Sequence, residues 1–216
     1  MKILALDSAS SACSAALWVD GEVRARRYAA MARGQSEALI PMVAEVMAEA
    51  GESFDALDLL AVTVGPGAFT GIRIGLAAAR ALALATGLPL AGVSTLDAVA
   101  AAVPPQERGS RPVLVVLDSK RAEVWAQAFG PDLAPLGEPA ALAPADAARL
   151  VSGEVVVAGD AALLVTPFLP DAVAASTPGL PDAAVVAALA AERWAAGTAL
   201  PPEPLYLRPA DVTMPA

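Results

Sequence analysis

The sequence predicts an α/β protein built from two similar halves. Apolar strand-like runs alternate with helical runs along its 216 residues, an order that is typical of this class. The run LALDS at residues 4–8 returns as VVLDS at 115–119, an offset of 111 residues. Each run is an apolar strand that ends in Asp-Ser and precedes a second strand. A repeat of this kind indicates two related subdomains that face each other across a cleft.

The first half alternates strands with helices bounded by recognisable end signals. Asp20 and Gly21 form a predicted hairpin turn, because Asp-Gly suits the tight turns that connect antiparallel strands. Ser36 is expected to cap the first helix and Gly51 to end it, and Thr70 is expected to open the second. The predicted strands are 2–9, 14–19, 22–28, 59–64 and 90–93, and the predicted helices are 36–50, 70–85 and 95–103.

The second half begins after a polar, proline-bounded stretch at 104–112. Proline at both ends of a polar segment marks a connection, so we predict subdomains at 1–103 and 104–216. The second contains predicted strands at 113–117, 123–129 and 155–158 and predicted helices at 144–151 and 182–196. The proline-rich tail, 201–216, is expected to be extended.

Composition excludes several classes of function. The chain has no histidine and a single cysteine, Cys13, so a Ser-His-Asp triad, a Cys-His pair and a Cys/His metal cluster cannot form. A lone cysteine cannot form an intrachain disulfide, which favours a reducing compartment. The net charge is −9, so we do not expect the chain to bind nucleic acid by itself.

No targeting or membrane segment is expected. The N-terminus lacks the basic start and long apolar middle of a signal peptide. The uncharged stretch at 81–96 is interrupted by Gly87, Pro89 and Gly92, whereas a membrane helix needs about 20 apolar residues. We therefore predict a cytoplasmic protein.

The two Asp-Ser pairs are candidate ligand-binding groups. Asp7 and Asp118 end matched strands, so both carboxylates are expected to point into the cleft, where they could hold a phosphate–Mg²⁺ group. The alternative, that each pair caps its own turn, remains open. Neither loop contains the glycine that close approach to phosphate usually requires. The candidate anion-binding residues, in a site that is at most vestigial, are Asp7, Ser8, Ser10, Ser11, Asp118, Lys120 and Arg121.

The predicted helix 70–85 is apolar nearly all round. Arg73 and Arg80 are its charged residues, so it should be buried on more than one side, by its own domain or by a partner. Arg73 could reach a neighbouring carboxylate. The preceding turn, Gly65-Pro66-Gly67, most simply sets the angle at which the helix begins, although a helix N-terminus could also hold an anion.

Four sequence motifs together resemble the TsaB (YeaZ) family. They are LDS at 6–8, GPGAFTGIRIG at 65–75, LDSKRAEVW at 117–125 and YLRP at 206–209, and the resemblance covers essentially the whole chain. It implies an actin/Hsp70/sugar-kinase-like α/β fold, with two similar subdomains and mixed sheets.

The resemblance also implies a non-catalytic subunit that pairs with TsaD, the catalytic paralogue, in forming threonylcarbamoyladenosine on tRNA. TsaC would supply threonylcarbamoyl-adenylate, and TsaE would be an ATPase of the same assembly. Contact with tRNA would come only through the complex, and the free chain would be a homodimer. No cofactor is expected in the chain itself, and binding of Mg-ATP or ADP at the complex is left open. The implied interface uses the first two helices and about 1,600 Å² of mostly apolar surface. Its residues would be Leu39, Met42, Val43, Val46, Met47, Ile74, Gly75, Ala78 and Ala81.

One position departs from the family pattern. Gln35 stands where the family often has histidine, and glutamine is a poor metal ligand. No metal site and no catalytic residue are therefore predicted. Two alternative functions remain. The first is an ATPase or kinase-like phosphotransferase that uses Asp7 and Asp118. The second, a peptidase with Ser10 or Ser36 as nucleophile, lacks a histidine base.

Overall fold

A computed structural model describes residues 1–207, and its first half is a five-stranded mixed sheet in the order β3-β2-β1-β4-β5. The strands β1, β2 and β3 are antiparallel neighbours, whereas β1, β4 and β5 run parallel. The elements are β1 (Lys2–Asp7), β2 (Ala12–Val19), β3 (Glu22–Ala30), α1 (Gln35–Ala50), β4 (Leu59–Gly65), α2 (Phe69–Thr86), β5 (Leu90–Ser94) and α3 (Thr95–Ala102).

The second half repeats this arrangement in a sheet of order β8-β7-β6-β9-β10. Its antiparallel and parallel pairs fall in the same places, so β6 corresponds to β1 and the predicted internal repeat is confirmed. The elements are α4 (Pro105–Arg108), β6 (Val113–Asp118), β7 (Val124–Phe129), β8 (Ala140–Leu142), α5 (Pro144–Ala147), β9 (Val155–Ala158), α6 (Ala162–Val165), β10 (Ala172–Ala174) and α7 (Ala183–Ala196), with 3₁₀ turns at Phe54–Ala56, Ala148–Leu150 and Thr166–Phe168.

The strand β1 shows how alternation builds the core on both sides of the first sheet. Successive side chains of a strand point to opposite faces. Leu4 and Leu6 therefore pack with α1 and α2, while Ile3 and Ala5 pack with α7 on the other face. All four side chains are fully buried. A strand covered on both faces reads as a continuous apolar run, which is why it could be predicted.

Two helices pack on the sheet of the opposite half. Leu96 and Val99 of α3 pack against β6 and β9 of the second sheet, and Ala187 and Ala190 of α7 pack against the first sheet. All strands of the first sheet precede the predicted boundary between residues 103 and 104, and all strands of the second sheet follow it. The helix α7, residues 183–196, follows the boundary in sequence but packs on the first sheet. The small side chains of α7 allow it to lie close to β1, a placement that sequence spacing does not specify.

The helix starts differ from the predicted caps. The first residue of α1 is Gln35, after Gly34 in a left-handed conformation, and Ser36 Oγ donates to Glu37 instead of capping. The helix α2 begins at Phe69, one residue before the predicted cap. Its start is fixed from outside, because the Ala68 amide donates to the Ala9 carbonyl at 2.7 Å.

The C-terminal strap, residues 200–207, contains no helix or strand and lies on the first sheet. Gly92 N donates to Leu200 O and Leu205 N donates to Val64 O, each at 2.8 Å. The rest of the predicted extended tail, 208–216, including the last two residues of the YLRP motif, lies outside the described residues.

Candidate functional site

A cleft of about 1110 Å³ opens between the two halves. The loop after β1, the loop after β6 and the first turns of α1 and α2 form its walls. This is the place that the internal repeat predicts, since the ends of the matched central strands β1 and β6 meet there.

Asp7 does not face the cleft, which corrects the prediction that it points into it. The residue is fully buried, and its Oδ1 accepts hydrogen bonds from Thr63 Oγ1 at 2.6 Å and from Ala9 N at 3.1 Å. Its Oδ2 is buried without a partner. Burial raises the pKa of Asp7 to about 7. The group is thus a structural carboxyl at the end of β1.

The serines of the first loop divide between structure and cleft. Ser8 is buried, and its Oγ donates to Gly71 O at 2.9 Å. It does not face the cleft, contrary to the prediction. Ser10 and Ser11 do line the cleft. Ser10 Oγ is buried and lacks a hydrogen-bond partner.

The glycines of the GPGAFTGIRIG motif allow α2 to approach the first loop. A Cβ on Gly67 would lie 2.1 Å from Ala9 O, and one on Gly71 would lie 2.2 Å from Ser8 O. Both distances are far inside van der Waals contact, so only glycine fits. The motif therefore positions α2, in agreement with the prediction that the Gly65-Pro66-Gly67 turn sets the angle at which the helix begins.

Asp118 lies in the cleft wall, and both oxygens of its carboxylate accept hydrogen bonds from Lys120. Its Oδ1 accepts from Lys120 N at 2.6 Å and its Oδ2 accepts from Lys120 Nζ at 2.8 Å. The Lys120 hydrogen bond lowers the pKa of Asp118. Asp160 Oδ1 accepts from Asp118 N at 2.8 Å, and burial raises the pKa of Asp160. Arg121 also lines the cleft.

These residues do not fit a magnesium-bound nucleotide. One strand-end carboxylate, Asp7, is buried away from the cleft, and the other, Asp118, is bound to Lys120. Within residues 1–207, no group of three or more His, Cys, Asp or Glu side chains is arranged to hold a metal ion. The ATPase alternative therefore loses one of the two carboxylates on which it depends.

Gln35 links two loops at the cleft. Its Nε2 donates to Ser10 O at 3.2 Å and to Met31 O at 3.1 Å. The amide thereby holds the loop after β1 against the segment that leads into α1. Gln35 therefore has a positioning role at the cleft.

An aromatic and cationic cluster at the cleft rim was missed by the sequence reasoning. Tyr206 stacks on Phe69 with ring centroids 5.7 Å apart, and the Arg73 guanidinium lies 3.6 Å from the centre of the Phe69 ring. Arg73 Nε donates to Tyr206 OH at 3.1 Å, so the prediction that Arg73 reaches a carboxylate is wrong. The contact between Phe69 and Arg73 could have been predicted from their four-residue spacing, because residues four apart on a helix are neighbours on its surface.

Much of the predicted partner interface lies inside the protein. The apolar stripe of α1 faces the first sheet, because burying it there completes the core between helix and strands. Leu39, Val43, Val46, Met47 and, on α2, Gly75 are buried, so a partner cannot reach them. Met42, Ile74 and Ala78 are half-buried, and Ala81 is exposed.

The outward face of α2, which we define by Ala77, Ala81 and Leu84, is exposed, and the exposed Arg80 lies beside these apolar residues. Leu84 is 88% exposed. Only five of the 18 helix residues are buried. Of the helices in residues 1–207, α2 is the one long and apolar enough to cross a membrane by length and composition. Its ends connect neighbouring parallel strands, β4 and β5, of one sheet.

Comparison with known proteins agrees with this fold. A family model described as TsaD, tRNA N6-adenosine threonylcarbamoyltransferase, matches residues 29–158. The structure is similar to that of YeaZ from Pseudomonas aeruginosa, with a TM-score of 0.82 and 30% identity over 95% of this chain and 99% of that chain. The chain belongs to the TsaB (YeaZ) family.

The TsaB protein of Escherichia coli, a tRNA threonylcarbamoyladenosine biosynthesis protein, is 41% identical over 128 residues. The match covers 59% of this chain and 54% of the E. coli protein, so it spans about half the length of that relative. A more distant structure is the activator of 2-hydroxyisocaproyl-CoA dehydratase from Clostridium difficile with bound ADPNP. Its TM-score of 0.55 at 11% identity, over 91% of this chain and 97% of that chain, concerns the fold alone. The predicted actin-like α/β class is confirmed.

Proposed function

We propose that this TsaB-family chain is a non-catalytic subunit of a tRNA threonylcarbamoyladenosine-forming assembly, and that it binds the TsaD transferase through the outward face of α2. The observation that carries the proposal is the exposure of this apolar face. Ala77, Ala81 and Leu84 recur at helical spacing on one side of the helix. The exposed Arg73 and Arg80 lie on the same side. A partner that covers the apolar side chains removes their apolar area from water, which stabilises the complex by about 25 cal/mol per Å² of apolar surface buried.

A protein accounts for this face better than a membrane does. Both ends of α2 are tied to the first sheet, and Arg73 and Arg80 interrupt its exposed side. Arg80 also donates to Pro202 O in the C-terminal strap, which fixes the helix to the rest of the domain. The family match to TsaD over residues 29–158 supports a related fold as the partner.

The proposal assigns no catalytic residue to this chain. The carboxyl group of Asp7 is buried away from the cleft, and the Lys120 hydrogen bond lowers the pKa of Asp118, which makes Asp118 a weak general base. We assign the transfer reaction to the TsaD partner. In the same proposal TsaE and TsaC act in the pathway, and the free chain forms a homodimer through the same face until TsaD replaces the second copy.

A charged substitution on the outward face tests the proposal. Leu84→Glu places a carboxylate in the apolar contact, where its desolvation is costly. We expect affinity for purified TsaD, measured by calorimetry, to fall at least about 10-fold, a difference of about 1.4 kcal/mol. Threonylcarbamoylation of tRNA by the reconstituted proteins should fall with it.

The matched control is Leu163→Glu in α6. Leu163 is 82% exposed, nearly as much as Leu84, but it belongs to the second half. This variant should bind TsaD like the unmodified chain. Equal affinities for the two variants would refute the assignment of the interface to α2.

A further inference from the structure

The cleft concentrates positive charge in an acidic chain. Four of the 14 Lys and Arg residues line it, compared with two of the 23 Asp and Glu residues. Asp118 pairs with Lys120, and four cations less two acids leave the lining with a net charge of +2. The net charge of the whole chain is −9, so a polyanion would be repelled by most of the surface and attracted here. The four cations are Arg33, Arg73, Lys120 and Arg121.

Two long helices add backbone donors to the same wall. The helix α1 begins at Gln35 and α2 at Phe69, and no side chain caps either one. Residues of both first turns line the cleft. Uncapped N–H groups and the helix dipole favour an anion at this position. Here they supplement the side-chain cations rather than form a site alone.

Aromatic rings stand at the rim beside these cations. Phe69 is 51% exposed and Tyr206 is 44% exposed, although both are large rings that folding would normally bury. Trp125 lies in the opposite wall, on β7. Exposed aromatic rings along a basic groove are the combination that binds unpaired nucleic acid, with bases stacked on rings and phosphates near cations.

We propose that the cleft binds a short segment of single-stranded RNA. Its phosphates would lie against Arg33, Lys120 and Arg121, and one base would stack at the Phe69–Tyr206 pair. The cleft volume of about 1110 Å³ lies near the upper end of the range of roughly 300–1,000 Å³ for small-molecule sites, so the cleft has room for a short chain segment. The inference rests on the proposed function only for the source of the RNA. It departs from two expectations drawn from the sequence: from the charge, that the chain does not bind nucleic acid by itself, and from the resemblance, that tRNA is contacted only through the complex.

The test measures binding of fluorescein-labelled hexa-adenylate RNA to the full chain by fluorescence anisotropy, at about 50 mM salt, where phosphate contacts are strong. The variants are Arg33→Glu, on the cleft loop before α1, and Tyr206→Ala. Arg24→Glu, on the exposed side of β3, is the charge-matched control. Each cleft variant should weaken binding about five-fold or more, and the control should not. Arg33→Glu should also make binding less dependent on salt, with the slope smaller by about 0.7 or more.

Three results would overturn the proposal. Equal effects of Arg33→Glu and Arg24→Glu would show that binding is not in the cleft. AMP competing as strongly as unlabelled hexa-adenylate would indicate a mononucleotide site. Cleft variants that weaken TsaD binding but leave RNA binding intact would make the rim a protein contact. The two proposals fail separately, because RNA binding by the isolated chain needs no TsaD and Leu84→Glu should leave it unchanged.

Discussion

Two aspartates with the same local sequence have opposite environments. Asp7 and Asp118 each end a central strand and precede a serine, yet Asp7 is fully buried and Asp118 is paired with Lys120 at the cleft. The repeat predicts that both occupy equivalent places in the fold. It cannot predict which of them the surrounding loops enclose, because that depends on α2 packing against the first loop and not on the motif.

The buried carboxyl of Asp7 should make stability depend on pH. Its pKa rises from 3.8 to about 7 on folding, chiefly because of burial. Between these values the folded chain holds a proton that the unfolded chain releases, so the free energy of unfolding should fall as pH rises from about 4 to 7. Asp7→Asn keeps an acceptor for Thr63 and removes the charge. It should stabilise the chain at pH 8 by on the order of 3 kcal/mol.

Urea unfolding at pH 5, 6, 7 and 8 measures this effect. The stability difference between Asp7→Asn and the unmodified chain should widen with pH. The exposed Asp55 provides a control, since Asp55→Asn should change stability by less than about 0.5 kcal/mol. A constant difference across the pH series would mean that Asp7 is not the titrating group.

The start of α2 depends on a backbone contact that leaves no room for a side chain. Gly67→Ala places a Cβ where Ala9 O now lies 2.1 Å away. The helix must then shift from the first loop, and we expect a loss of about 1–3 kcal/mol in the free energy of unfolding. Gly137→Ala is the control, because nothing lies within 4 Å of its Cβ position. Similar urea midpoints for the two variants would contradict this account of the motif.

Elements with a strong local signal were predictable. The buried strands β1, β4, β6 and β9 are apolar runs bounded by turns, and the predicted spans agree closely with the observed ones. The strands β8 and β10 and the helices α4 and α6 were not predicted, since three or four residues carry no usable periodicity. The α1 stripe was predicted as apolar, but periodicity alone does not say whether a sheet or a partner covers it.

At the scale of the whole molecule, the two halves are joined by exchanged helices. The helix α7 packs on the first sheet, and the contact is fixed at both ends. Ala183 N donates to Ser14 Oγ at 2.9 Å, and Arg193 forms an ion pair with Asp97 of α3 at 2.7 Å. The sequence division at residue 104 therefore does not separate two units that are each complete.

Removal of residues 183–216 should destabilise the first sheet selectively. Without α7, the side chains of Ile3, Ala5 and Leu59 lose their cover and face water. Hydrogen exchange should show lost protection for the amides of β1 and β4. The amides of β6 and β7, which pack with other helices, serve as the control within the same molecule. Uniform loss in both sheets would instead show that the halves unfold as one unit.

The arrangement of the outermost strands bears on how copies of this protein can associate. An unpaired outer strand is a template for polymerisation with other chains. Here β3 carries Arg24, Arg26 and Arg27, and β5 is partly occupied by the bond from Gly92 to Leu200. The strands β8 and β10 are only three residues long. Sheet extension is thus discouraged on every side, which leaves helical surfaces as the route to controlled, finite assembly.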